Sequence, residues 1–541
     1  PAQPFFDLVS SDVVFSFGAD LTGTWLSPVA YGRAYGQMRG RTLGKRGYLV
    51  QFEPRMSATG AIADEWIPIK PGTEGQVAMA LGKIMVEQGI GTAASSPYAP
   101  LFQNVDVAGI AEYSGVGLER LEKLAHAFGD YQRPAAIPGG GVNGYTNGVE
   151  ATVAVMLLNA LTGNLSPEQS ALWLTPPPPD PAFAGTKVAA FSDVQALIAA
   201  MQAGKIDVLM VHGNPLYELP VAAGFAEGLA KVPFVASFSS MVDETVVQSD
   251  LTLPDNSYLE NWGFQFVTPP GARPAVSGLQ PVVSPLYDTR ATTDVLLDLA
   301  QRLGGVVKAA LPYKNTVEFM KADMAKLVGQ DAPYETKSAD AVWSGWRQFG
   351  GWWPQSDAVT LPAAAPVVPA TLEVPQADFT GSPEEFPYFL YPYPSTLLSD
   401  GRGANQPWLQ EAPDPVITAT WATWVEINPE TAVELGLERN DLIKIITPTS
   451  MIVAIVYPYA GIRPDVVAVP IGQGHAAYGR YAKNQGANVA AILSPKTTSD
   501  GELAWGATRV KLEKLGTKRK LPVIENNVGV DAANEAKYFP G

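Results

Sequence analysis

Three short stretches hold the side chains best placed to do chemistry. Glu53 and Arg55 close the apolar run at 48–52. An acid at the carboxyl end of a strand can bind a ribose hydroxyl, and a guanidinium beside it can face a phosphate. A strand-terminal ion pair accounts for the same two residues equally well. Gly139-Gly140-Gly141-Val142-Asn143-Gly144 satisfies G-x-G-x-x-G ahead of a helical stretch, the pattern of a dinucleotide-binding turn. The run before it is broken by Pro134 and Pro138, and no acid stands about 20 residues on where a ribose would need one. A glycine-rich loop packing a helix against a sheet fits these residues better. Gly472-Gln473-Gly474-His475, followed by Tyr478-Gly479-Arg480-Tyr481 and Gly486-Ala487-Asn488, could hold the polar edge of a ligand. A lone His without a catalytic partner at suitable spacing is more often structural.

Other chemistries are restricted by what is missing. The chain has no Cys, which removes disulfides, thiolate metal sites, iron–sulfur ligation and c-type haem attachment. His126, His212 and His475 are its only three His and lie far apart, without metal-ligand spacing. Asp64, Asp243, Glu244 and Asp250 form no obvious acid/base couple; acids at loop ends usually cap helices or face water. Neither a nucleophile elbow, a P-loop nor H-E-x-x-H occurs.

The elements that must position these residues alternate. Residues 12–90 read as strand, loop, helix, strand, loop, helix. Thr73-Glu74-Gly75-Gln76 has the capping-box pattern, with Val77, Leu81, Ile84 and Met85 as the apolar stripe after it. Helices are expected at 118–128 and 150–161. Ser192-Asp193-Val194-Gln195 reads as a second capping box, opening a helix that ends at Gly204. Strands at 206–212, 233–237 and 251–254 and a helix at 293–303 follow. This alternation predicts an α/β fold with doubly wound, mostly parallel sheets over 1–305, in two interleaved α/β domains. TPPPPDP at 175–181 reads as a stiff exposed loop. Residues 306–415, rich in Pro and Trp, are expected to form an extended surface connector. The short β-runs of 416–515 predict a β-barrel domain, and 516–541 an extended C-terminal arm.

Composition limits the partners. The chain has 541 residues, 46% hydrophobic and 17% charged, with a net charge of -16. That balance describes an ordered globular protein and argues against nucleic acid and against adsorption to anionic lipid. No apolar run approaches the roughly 18–20 residues of a membrane span, so membrane contact is expected only through partners. The start, Pro-Ala-Gln-Pro, reads as cut from something longer.

Several blocks, in order, resemble the molybdopterin oxidoreductase superfamily. They are SFGAD at 16–20, FEPR at 52–55, Ala63-Asp64 with Lys70-Pro71-Gly72-Thr73, Asn159 with Thr162-Gly163-Asn164, and His212-Gly213-Asn214-Pro215. Ser249-Asp250-Leu251-Thr252-Leu253-Pro254 with Glu260, INPETAVELGL at 427–437 and GQGH at 472–475 continue the series. Thr24-Trp25-Leu26-Ser27-Pro28, GQGHAAYGRYAKNQGAN and Gln406-Pro407-Trp408-Leu409-Gln410-Glu411 resemble, more narrowly, the molybdopterin-like part of the large iron–sulfur subunit of alternative complex III.

The resemblance implies a double-psi-type barrel and a pterin cleft walled by the loops at 18–27, 53–55, 212–215 and 472–475. Whether the cleft marked by Gly18, Glu53, Arg55 and His475 is empty or holds a pterin stays open at this point. It further implies a non-catalytic part of a quinol:electron-acceptor oxidoreductase on the periplasmic side of the cytoplasmic membrane. No catalytic, cofactor or metal residue is expected in the chain. Iron–sulfur clusters and haem c would belong to an adjoining ferredoxin-like portion and to multihaem and monohaem cytochrome c subunits, and quinol binding to integral membrane subunits. The alternative is a fragment of an active molybdopterin-dependent oxidoreductase acting on a small oxyanion or sulfur compound. Trp-rich 343–353 and aromatic 386–394 could dock partners or pack within the chain.

Overall fold

The computed structural model describes residues 4–40, 46–165, 172–174, 178–183, 188–267, 274–355 and 371–524. Its first unit is a four-stranded parallel sheet of β1 (Val13–Phe17), β2 (Tyr48–Phe52), β3 (Glu65–Ile67) and β4 (Pro134–Pro138), in the order β3-β2-β1-β4. All five residues of β1 are buried, as expected of a parallel strand covered on both faces. Phe17 and Phe52 stack across the β1–β2 pair at 4.4 Å. Helix α1 (Pro28–Arg39) links β1 to β2, while β4 lies on the other side of β1. The carboxyl ends of β1 and β4 therefore form a topological switch point, where such sheets leave a crevice.

Helix α2 (Glu74–Gln88) buries the predicted stripe Val77, Leu81, Ile84 and Met85, and Gly89 ends it with φ 67°. It packs on α3 (Leu118–Gly129) and α4 (Gly148–Leu161). Gly75 allows the close approach to α4, since a Cβ there would lie 2.4 Å from Ala151 Cα. The predicted capping box does not form. Thr73 Oγ1 donates to Lys70 O and Gln76 Nε2 to Val374 O, so a local carbonyl took the first side chain and a distant one the second. The second box is shifted: α5 (Phe191–Gln202) is capped at Ala190, whose N–H donates to Asp193.

A second parallel sheet joins β5 (Val208–His212), β6 (Phe234–Ser239) and β7 (Leu251–Pro254) in that order. Helix α6 (Thr292–Leu303) follows it.

Residues 306–415 are not an extended surface connector. They contain α7 (Thr316–Met324) and α8 (Ala339–Phe349), and a short strand, Gly351–Trp352, completes an antiparallel sheet with Gly263–Val267 and Ala275–Leu279. Trp343, Trp346 and Trp352 are buried in this unit's own core with Val276, Met320 and Met324. Three of the four tryptophans at 343–353 thus pack within the chain, and Trp353 is half-buried beside them. Most of the Pro-rich stretch at 361–375, and part of 175–181, lie outside the described residues.

The barrel starts earlier than expected. Tyr388–Pro394 is its first strand (here β8), so the aromatic-Pro stretch at 386–394 is barrel wall. With β9 (Trp424–Ile427), β10 (Asp441–Ile446), β11 (Met451–Pro458), β12 (Val466–Ile471) and β13 (Arg509–Lys518) it closes in the order β8-β12-β9-β11-β10-β13. The β8–β12 and β9–β11 pairs are parallel and the remaining pairs antiparallel. Ile443 and Ile445 point inward at period two, meeting Val425, Val456 and Val469. Pro392 and Pro394 are tolerated because the N–H of Leu390, in the same phase, faces Thr508 and away from β12. The polar stretch after 516 is no free arm at its start. β13 runs to Lys518, Leu521 is buried, and Val523 bridges Ala419; 525–541 lie outside the described residues.

Trp346 is fully buried, stacks on Trp343 at 5.5 Å and donates from Nε1 to Val276 O. Trp346→Ala should lower unfolding free energy by about 3–5 kcal/mol in denaturant titration. A loss under 1 kcal/mol would show that this core is not what orders 306–355.

Candidate functional site

The carboxyl ends of β1, β2 and β4 open on a cavity of about 420 Å³, roofed by β8 of the barrel. Gly18 (φ 63°) turns the chain after β1, and its Cα faces Gly141, where either added Cβ would meet backbone at 2.9–3.0 Å. At Gly139 a Cβ would fall 2.2 Å from Ala19. The G-x-G-x-x-G loop is therefore a backbone-packing device, as its residues suggested. Its amides point into the protein: Gly18 N–H to Phe52 O, Gly139 N–H to Phe17 O and Gly141 N–H to Gly18 O.

Arg55 crosses the cleft to the barrel. Nε and Nη2 donate to the two oxygens of Glu426 at 2.6 and 2.8 Å, and the guanidinium lies 3.9 Å from the Tyr393 ring centre. Glu426 also accepts from Tyr393 OH and Trp424 Nε1. The Arg is 5% exposed and the Glu 0%. Burial alone would favour a neutral Arg55, but the Glu426 carboxylate overrides it and holds the guanidinium charged. The strand-terminal ion pair considered for Glu53 and Arg55 does not form: Arg55 pairs with an acid 371 positions away, and Glu53 accepts from Ser57 and Gln51.

Glu53 is 2% exposed and lines the same cavity. It accepts from Ser57 N–H at 2.7 Å and Gln51 Nε2 at 3.0 Å. Burial pushes its carboxyl up to about 7 against those hydrogen bonds, with the nearby Asp20 charge adding to the rise. Glu74, at the start of α2, is pushed up to about 8 by burial, and its Oε2 has no hydrogen-bond partner. Asp20 accepts from Thr59 and Thr24 and shapes the 20–25 turn.

The other sequence candidates lie elsewhere. His475 does not line the cavity. It is stacked on Tyr217 at 3.7 Å and Tyr478 at 4.7 Å, with Nδ1 3.3 Å from Glu244 and Nε2 3.2 Å from Gly401 O. Burial works to raise the Glu244 carboxyl, but hydrogen bonds from His475, Ala477 N–H and Asn214 outweigh it and bring the group to about 2. His475 thus ties the barrel to the second sheet. His212 is exposed beside Asp255, and the 212–215 loop does not reach the cavity. Asp64 binds Arg39 and Arg46, Asp250 accepts from Val235 N–H, and Asp243 caps the turn at Thr245 and Val246. Tyr391, Tyr393, Trp505 and Glu218, which do line the cleft, were not singled out from sequence. Glu426 left one signal, an acid in the otherwise apolar run Trp424–Ile427.

A cleft at a switch point, roofed by a barrel with two parallel pairs, is the layout the resemblance implied, and comparison with known proteins agrees. The molybdopterin oxidoreductase family profile matches residues 2–302, and the molybdopterin dinucleotide binding domain profile matches 401–502. The chain belongs to the molybdopterin oxidoreductase family. A menaquinone reductase, molybdopterin-binding-like subunit, of Nitratidesulfovibrio vulgaris is 27% identical, covering 94% of this chain and 72% of the relative. The molybdopterin-containing subunit of an arsenate respiratory reductase of Shewanella sp. is 25% identical, covering 94% and 75%. Among solved structures, acetylene hydratase from Pelobacter acetylenicus shares the fold at TM-score 0.68 and 16% identity, covering 95% of this chain and 79% of that one.

The family's cofactor is a pterin dinucleotide whose pyrophosphates need cations or free amides. The residues lining this cavity do not fit it. Their charged members are Asp20, Glu53, Glu218 and Arg55, and Arg55 is already neutralised by Glu426. The amides of Gly18, Gly139 and Gly141 are engaged in backbone bonds. Among the described residues no group of three or more His, Cys, Asp or Glu is placed to hold a metal ion.

Two outcomes follow. Arg55→Met leaves Glu426 buried and unpaired and should cost about 3–5 kcal/mol of stability, most of it restored in Arg55→Met/Glu426→Leu; thermal unfolding of both variants checks this. Glu53 keeps its proton to about pH 7 folded against 4.5 ordinarily, so the stability it supplies is complete below 4.5 and is lost as pH rises through 7. Because Glu74 titrates in an overlapping range, the readout is the difference from Glu53→Gln. Wild type should gain on the variant by roughly 3 kcal/mol between pH 8 and pH 4.5.

Proposed function

We propose that this chain is a non-catalytic scaffold within a membrane-associated quinol:electron-acceptor oxidoreductase of the alternative complex III type. The observation that carries the reading is the cleft's charge. Among the described residues that line it, the one guanidinium is locked to Glu426 and the remaining charged groups are carboxylates. A polyanionic cofactor would meet repulsion there in place of a cradle. The relative named as a molybdopterin-binding-like subunit of a menaquinone reductase supports placement in a quinone-linked assembly. The chain would hold an iron–sulfur ferredoxin-like portion and cytochrome c subunits at fixed separation, on the periplasmic side, with integral membrane subunits binding quinol. Among the described residues no helix is long and apolar enough to cross a membrane, which suits attachment through partners.

The second reading, an active oxidoreductase acting on a small oxyanion or sulfur compound, draws on the arsenate reductase relative. Purification of the assembly from native membranes, followed by metal and pterin analysis, separates the two. The scaffold reading expects iron and haem without stoichiometric molybdenum or tungsten, and no pterin fluorescence on acid release. One molybdenum or tungsten per chain would sink it.

A further inference from the structure

We propose that the cleft between the first sheet and the barrel is a binding site for a compact planar aromatic amine or amidine, and that it rejects anions of the same shape. The inference stands on the cleft's own donor set and not on the assembly reading above. Three observations point the same way. The cavity, about 420 Å³, has room for a fused two-ring ligand, with Trp25, Tyr391, Tyr393 and Trp505 along its walls. Flat π faces and proline rings there favour a planar guest, and electron-rich rings favour one with positive character.

Glu53 and Asp20 put acceptors at the polar end of the cavity, beside the hydroxyls of Thr24 and Ser57. Each Glu53 oxygen takes one bond, from Ser57 N–H or Gln51 Nε2, and a carboxylate has about four acceptor positions, so lone pairs remain. Asp20 also lines the cavity and the exposed Glu218 contributes to its lining, while Gln51 Oε1, outside that lining, is a buried acceptor without a partner. A ligand reaching Glu53 must bring N–H donors to complete that set.

Two sets of donors that could meet an anion are already engaged. Arg55 holds both oxygens of Glu426, and the amides of Gly18 and Gly141 bond to backbone carbonyls. An amidinium presents two parallel N–H groups to a carboxylate in the manner of an Arg fork. An isosteric carboxylate would face Asp20 and, once Glu53 has lost its proton above about pH 7, Glu53 with like charge.

The test is calorimetric titration of the full chain at about pH 8.5, above the value of about 7 to which burial raises Glu53, and at about 0.15 M salt to screen its overall charge. The probes are 2-naphthamidine and 2-naphthoate, alike in shape and opposite in charge. The amidine should bind at least about tenfold more tightly than the acid, the equivalent of one charge-assisted hydrogen bond. Glu53→Gln should remove most of that preference, whereas Glu119→Gln, an exposed acid on α3, should leave it unchanged. Trp505→Leu, which alters the wall and not the acids, should weaken both probes together. Equal binding of the two probes, absence of amidine binding to the wild-type chain, or a preference that falls equally in Glu53→Gln and Glu119→Gln would overturn the proposal.

Discussion

The bidentate pair between Arg55 and Glu426 is the interaction on which the arrangement of the two halves depends. It joins the loop after β2 to a barrel strand, with both charges out of water. Such a pair is stable only when its geometry is good and its remaining polar atoms are satisfied. Both conditions hold: Glu426 accepts four hydrogen bonds, and the guanidinium lies against the Tyr393 ring. Backbone bonds set the same junction, from Met56 N–H to Gly461 O and from Arg463 N–H to Pro54 O. Sheet and barrel therefore meet in one register, and the cleft is the space left between them.

The same lock decides the electrostatics of that space. A guanidinium in a family cleft would ordinarily be read as an anion contact. Paired with a buried carboxylate, it adds no net positive charge to the lining. What remains is set by Asp20, Glu53 and Glu218, by aromatic and proline walls, and by glycine loops whose amides face inward. Fold and ligand chemistry have come apart in this chain: the crevice follows from strand order, and its preference from a few side chains.

Much of the first unit was legible because local signals agreed. The run at 13–17 is apolar throughout, the stripe Val77, Leu81, Ile84 and Met85 has helical spacing, and the paired glycines mark a close approach. Both capping boxes misled, since Thr73 turned to the local Lys70 carbonyl, Gln76 to the distant Val374 carbonyl, and Ala190 became the second cap. The region 306–415 was misread because Pro and Trp suggested surface. Yet Ser338 caps α8, Gly350 ends it, and Val342 and Trp346 fall on one face. Tyr388–Pro394 looked unlike a strand because its prolines are allowed only where β8 leaves one edge without a neighbour. A string of residues does not display that edge.

By itself the sequence determined the alternation of strands and helices and the absence of thiolate chemistry. Periodicity and residue type are properties of the chain read in order. Only the tertiary structure decided that Arg55 faces Glu426 and not a phosphate, that Glu53 sits in the cavity, and that His475 is stacked away from it between two tyrosines. The reason is physical: charge compensation and burial depend on which groups meet after folding, and those partners lie hundreds of residues apart.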